Sequence, residues 1–408
     1  LKIEIAVMAG LISLCLFGVG CAAPKDFNKQ LSQIVRPYRF HVAQWEASTV
    51  FKAAKQAIWN RHKVPGDEMA QVKEYFDTVA RMKTLKAEIE AIKAGNRTGE
   101  LASLEAELNE LQQKRSSLVN AAEKVIAGQI KEVLFQQSIY HPADKYIGLK
   151  INFPPMNFKL EKPPHLLVIS PRDRIESMRE IVLQQEVKVE EMEQIEGEVD
   201  TLGVSSIVVE LGGFGGTYPA FVTNEASLRF TVDAATEEWL HQYLFFKPLG
   251  FRYVLDVIGV ARNYEVATMN ETVASMIGKE IGGMVAESYY PDLKSDEDEP
   301  GKKSGFDFDR EMREIRRAVD EYLARGEIEQ AEEFMEEKRQ YLASKGYHIR
   351  KLNQAYFAFY GAYADRPTSI SPIGDELKRL REQSASLKEF LAMVSSMTGH
   401  EDLLESLE

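Results

Sequence analysis

The stretch Thr236-Glu237-Glu238-Trp239-Leu240-His241-Gln242-Tyr243-Leu244 sets two acids and a histidine among large apolar side chains. A helix turns about 100° per residue, so Glu237 and His241, four apart, project from it together, with Glu238 beside them. Trp239, Leu240, Tyr243 and Leu244 make such a helix apolar on several sides, which predicts burial. Buried carboxylates and imidazoles need partners. By itself the pattern is weak, because acids are common on exposed helix faces and a lone histidine is more often structural than a ligand.

Further on, Met269-Asn270-Glu271-Thr272-Val273-Ala274 offers a third acidic group on what reads as a second helix. A zinc peptidase uses three protein ligands, an open position for water and a carboxylate that takes the water's proton; the H-E-x-x-H helix supplies two ligands and the base. Here Glu237 stands where the first histidine would be. The pair of motifs, Glu238-Trp239-Leu240-His241 and Asn270-Glu271-Thr272-Val273-Ala274, resembles the gluzincins. More narrowly, residues 165–395 are similar to bacterial proteins classed as zinc aminopeptidases or membrane-associated metalloproteases. In these the first motif usually reads H-E-W-x-H, and Tyr356-Phe357-Ala358-Phe359-Tyr360-Gly361 and Ser371-Pro372-Ile373-Gly374 have counterparts. The resemblance implies that Glu237, His241 and Glu271 hold zinc, that Glu238 is the general base, and that a tyrosine such as Tyr356 or Tyr360 stabilises the transition state. Two carboxylates and one imidazole form a harder, more anionic set than His₂Glu. The spacing from His241 to Glu271 exceeds that of familiar gluzincins, so Glu265 and Glu280 compete with Glu271 for the third place.

The 408 residues carry a net charge of −13, with 44% hydrophobic and 10% aromatic residues. That composition is globular, and the absence of a basic face argues against nucleic acid as a partner. Gly212-Gly213-Phe214-Gly215-Gly216 follows an apolar run as a phosphate loop would, but lacks the Lys-Ser/Thr pair, so no nucleotide is expected. Residues 5–23 form an apolar run, either a secretory signal or a single membrane anchor. Gly18-Val19-Gly20-Cys21 resembles a bacterial lipobox, which implies a lipid on Cys21 and a body outside the cytoplasm, tethered to a membrane. Only one cysteine would then remain, and no disulfide could form.

Along the chain, residues 26–64 read as helical. Apolar positions recurring at threes and fours on both sides of a 95–99 turn predict an antiparallel coiled-coil hairpin. Strands are expected near 146–159, at 165–170, 204–211, 220–222 and 227–232, and a helix over 173–198. The metal helix is expected to begin near Asp233, capped by Asp233 or Thr236. A sheet edge just before such a helix is where a peptide can add as a strand. Residues 253–269 read as a connection, 291–305 as an acidic loop, 308–344 as a helix pair, 352–364 as an aromatic helix and 375–397 as one last helix.

The expected architecture is α+β and predominantly helical. It comprises a signal or anchor at 1–24, a helical region with the hairpin at 25–140, a metallopeptidase-like core at 141–290 with a small sheet on the zinc helix, and C-terminal helices at 306–408 closing the cleft. The expected function is a membrane-anchored extracytoplasmic zinc peptidase acting on peptides or proteins. A silent relative acting as an envelope scaffold is the alternative.

Overall fold

A computed structural model of the protein describes residues 25–41, 68–140, 153–291 and 306–408. Cys21 with the whole 1–24 segment, most of the 26–64 region and nearly all of the acidic 291–305 stretch lie outside the described residues. The fold is predominantly helical α+β. Helix α1 (Lys25–Val35) leads to the hairpin of α2 (Glu68–Lys93) and α3 (Leu101–Gln136). Strands β1 (Phe158–Leu160), β2 (His165–Pro171) and β3 (Arg179–Leu183) follow, then α4 (Val189–Asp200), β4 (Val204–Glu210), β5 (Gly213–Phe214) and β6 (Ala220–Val222). The central helices are α5 (Leu228–Leu244), α6 (Pro248–Val257) and α7 (Tyr264–Tyr289). Six more complete the chain: α8 (Phe308–Ala324), α9 (Ile328–Ser344), α10 (Gln354–Tyr360), α11 (Ile373–Gln383), α12 (Leu387–Ser396) and α13 (His400–Leu407).

The hairpin is the expected one. Val72, Tyr75, Val79, Met82, Leu85 and Ile89 recur at threes and fours and bury one face of α2. Gly95, at φ 73°, makes the turn, a conformation that costs other residues a steric penalty. The hairpin does not form a core of its own. Its apolar face joins one large cluster with Trp239, Leu240 and Leu244 of α5, Met269 and Val273 of α7 and Leu377 of α11.

The strands form two three-stranded sheets. In the first, ordered β3-β2-β4 and antiparallel throughout, the apolar run of β2 lies at the centre. Leu167 and Ile169 face α1 and α4, while Leu166 and Val168 face Ala355 of α10, the alternation a strand imposes. The second is ordered β1-β6-β5, so the two residues Gly213 and Phe214 form an edge beside α5.

Several expectations are corrected. Residues 227–232 are not a strand: Ser227 caps α5 by accepting from the Phe230 amide at 3.2 Å, and the helix runs unbroken from Leu228. The alternation of Leu228, Phe230 and Val232 imitates a strand, but continuity with a strongly buried helix overrides it. Asp233 and Thr236 therefore sit inside the helix; Asp233 pairs with Arg229, and Thr236 returns a hydrogen bond to the Val232 carbonyl. Residues 173–198 split into β3 and α4, residues 253–269 form α6 and the start of α7, and residues 375–397 fall within two helices.

The approach of α7 to α5 fixes the site. A Cβ on Gly282 would lie 1.7 Å from the Asp233 carboxylate, and one on Gly278 would lie 3.0 Å from the Asp233 carbonyl oxygen. Glycines four apart thus let the two helices pack backbone to backbone. This contact brings Glu271 towards His241.

Candidate metal centre

Glu237 and His241 project from α5 one turn apart, and α7 brings Glu271 to them. One ligand atom from each lies within 4.8 Å of the others. Ligands at about 2.0–2.2 Å from a tetrahedral ion stand about 3.4 Å from one another. His241 Nε2 lies 3.5 Å from Glu271 Oε2, which fits that spacing.

Neighbours orient these donors. Asn270, fully buried, presents its Oδ1 to His241 Nδ1 at 2.9 Å. That places the proton on Nδ1 and leaves the Nε2 lone pair facing Glu271. The Tyr253 hydroxyl donates to Glu271 Oε1 at 2.5 Å, so Oε2 is the oxygen left for the centre. The Tyr253 ring stacks on His241 with centroids 6.0 Å apart. In the sequence Asn270 is only the neighbour of Glu271; its contact with the imidazole appears once α7 packs against α5.

Glu238 points elsewhere. A Cβ on Gly213 would lie 2.2 Å from its Oε1, and one on Gly215 would lie 2.8 Å from its Oε2. The glycine run that reads as a flexible turn is therefore a cradle for this carboxylate, at the edge strand β5. Gln242 ties the cradle to α5 by donating to the Thr217 carbonyl at 2.8 Å.

The electrostatics are those of an acidic cluster. Burial first, and the Glu271 carboxylate after it, push the Glu237 carboxyl up to about 7 against the pull of His241. Burial, with Glu237 and Glu271 adding to it, pushes Glu238 up to about 8. For His241 burial works downward, but the three carboxylates and Asn270 outweigh it and raise the imidazole. Three carboxylates around one imidazole, Glu238 buried and Glu237 and Glu271 half-buried, form an acidic cluster whose charge a divalent cation would offset. The His241–Glu271 pair stands at the spacing zinc ligands take, and an imidazole with two carboxylates is a donor set compatible with a divalent cation.

The other candidates resolve by their partners. Glu280 holds Arg381 in a two-pronged ion pair at 2.7 and 3.0 Å, and Glu265 lies 3.3 Å from His400; of the three acids, Glu271 is the one that clusters with Glu237 and His241. His165 is buried on β2 with Nδ1 against the Gln184 carbonyl, a structural position. Tyr356 and Tyr360 pack on each other at 4.5 Å and against the first sheet, with no contact to the three donors. Tyr363 is the tyrosine of this run that lines the same cavity as Glu271. Burial raises it well above its ordinary value, and Glu271 and Glu237 raise it further. The Ala364 amide donates to Thr272 Oγ1 at 2.9 Å, which holds this segment against α7. Nothing in the sequence distinguishes Tyr363 from the other tyrosines of that run.

No family model, no curated protein and no solved structure matches this chain. The gluzincin resemblance therefore rests on the quoted motifs.

One consequence is measurable here. Replacing Asn270 with leucine removes the acceptor that fixes the His241 ring, and zinc affinity is expected to fall about 10–100-fold. Competition against a chromogenic chelator reads this directly. An unchanged affinity would mean that the imidazole is oriented by packing on Tyr253.

Proposed function

We propose that the protein is a zinc peptidase of gluzincin type, tethered to a membrane through its N-terminal segment and lipidated Cys21, with its body on the extracytoplasmic side. The observation that carries the catalytic reading is the convergence of Glu237, His241 and Glu271 within 4.8 Å, the one such cluster found among the described residues. Among those residues no helix is long and apolar enough to cross a membrane, so the tether is proposed from residues 1–24 alone.

Glu237, His241 and Glu271 would hold the ion, which would supply Lewis acidity to polarise a peptide carbonyl and acidify water. The chain's own groups do the rest. Glu238 accepts one proton as water adds to the carbonyl carbon, then returns it to the amine nitrogen as the C–N bond breaks. Its cradle at Gly213 and Gly215 restricts it to one orientation, and its high proton affinity suits it to hold a proton between the two steps. Tyr363, kept protonated by its surroundings, donates to the developing oxyanion. The outer edge of β5, unpaired among the described residues, lies beside Glu238 and is where an extended peptide would add.

Incubating a defined peptide mixture with the zinc-loaded chain is expected to give new termini, seen by mass spectrometry, that vanish on chelation and return with zinc. Cleavage of no peptide at full zinc loading would leave a metal-binding scaffold.

A further inference from the structure

A cavity of about 110 Å³ is lined by Glu271, one of the three donors, and by Glu180 of β3. Tyr253, Phe359 and Tyr363 supply aromatic surface between them. The remaining charged groups on the walls are engaged. Glu176 accepts from Arg174 Nε at 2.6 Å. Asp256 accepts from the Asn263 amide at 2.7 Å and lies 3.9 Å from Arg262. Arg262 in turn donates to the Met178 carbonyl at 2.9 Å through a terminal guanidinium nitrogen, while its Nε is buried without a hydrogen-bond partner among the described residues. Glu271 belongs to the metal centre. Glu180 differs: its one side-chain hydrogen bond comes from Ser177 Oγ at 2.8 Å, and it makes no ion pair among the described residues.

We propose that this cavity is the subsite for a lysine or arginine side chain of the substrate, with Glu180 as the carboxylate that selects it. The proposal rests on the peptidase reading of the adjoining centre and names its preferred substrate. A long basic side chain matches both parts of the cavity. Its methylene stem lies along the aromatic walls, and its cationic head meets ring faces and the Glu180 carboxylate. The alternatives fit worse. A neutral side chain would gain the contact with the aromatic walls but no ion pair with Glu180. An acidic side chain would face Glu180 and Asp256 together. The Glu180 side chain is accessible to solvent, and its carboxyl is nonetheless raised, by desolvation first and then by Glu271 and Asp256, against the opposing pull of Ser177 and Arg262.

The test uses small probes on the whole chain and does not depend on turnover. Binding of N-acetyl-lysine methylamide, its uncharged norleucine counterpart, and leucine amide, whose only cation is the α-ammonium, is followed by ligand-observed NMR. The lysine probe is expected to bind about tenfold more tightly than the norleucine probe. Glu180→Gln, which keeps the side-chain size, should erase that difference, and Glu180→Lys should reverse it towards an N-acetyl-glutamate probe. Equal binding of the lysine and norleucine probes, or a lysine preference that survives in Glu180→Gln, overturns the proposal. Tighter binding of leucine amide would assign the cavity to a substrate's α-ammonium and overturn the side-chain assignment. Peptide cleavage separates the two readings: hydrolysis with no preference for lysine or arginine sinks the subsite and leaves the peptidase standing. Glu180-dependent binding without hydrolysis of any peptide sinks the peptidase and leaves cation recognition standing.

Discussion

Glu238→Gln is expected to keep the full complement of zinc and to lose about 10²–10⁴-fold in kcat on any peptide the protein cleaves. The two readouts separate because Glu238 is not one of the three clustered donors. Its carboxylate lies against Gly213 and Gly215 instead. Glutamine keeps the shape that fills this cradle and retains a hydrogen-bonding oxygen, but it cannot accept the proton from water. Zinc content and kcat measured on the same preparation decide the matter. A variant that loses its zinc would show that Glu237 and Glu238 have exchanged roles, so that the carboxylate beside the glycine strand is the ligand.

The metal-free protein is expected to lose stability as pH rises from 5 to 8.5, and zinc is expected to reverse the trend. The sign follows from the acids of this cluster. Glu237 and Glu238 are pushed up to about 7 and about 8 in the folded chain, from an ordinary 4.5. A carboxyl with a raised folded pKa contributes most below its unfolded value, and that contribution disappears as pH climbs through the folded one. The raised His241 imidazole loses its contribution in the same direction. Zinc binds the deprotonated ligands, so its contribution grows with pH, reaching about 4 kcal/mol at a free concentration 1,000 times Kd. Thermal melts at pH 5, 7 and 8.5, with chelator and with zinc, check both halves. A metal-free Tm that rises between pH 5 and 8.5 would mean that these carboxylates are solvated or paired in the folded chain.

The hairpin was legible because its signal is local: apolar residues at threes and fours over several turns, with a glycine-containing turn between. The pairing of Glu237 with His241 was legible for the same reason, since helical spacing alone places them together. The start of α5 was not. Leu228, Phe230 and Val232 alternate as a strand does, and only the packed surroundings make them helical, with Ser227 as the cap. The third donor could be narrowed but not chosen, because Glu265, Glu271 and Glu280 all lie on α7. Arg381 and His400, far along the chain, engage two of them, and Glu271 is the one that clusters with Glu237 and His241. Tyr363 was hidden for a related reason. Five aromatic phenols or rings crowd residues 356–363, and which of the phenols lines the cavity with Glu271 depends on how the segment after α10 docks on Thr272. Gly278 and Gly282 carry no chemistry, yet the helix crossing that builds the site depends on their lack of side chains.

The central claim is that Glu237, His241 and Glu271 form one metal centre, and the most direct test is the metal content of residues 25–408 after exposure to zinc and exhaustive dialysis. About one zinc per chain is predicted, as a mononuclear site requires, with none retained by His241→Ala at unchanged fold by circular dichroism. A wild-type chain that emerges metal-free under conditions that leave other zinc enzymes loaded, or a His241→Ala chain that keeps its zinc, would contradict the account.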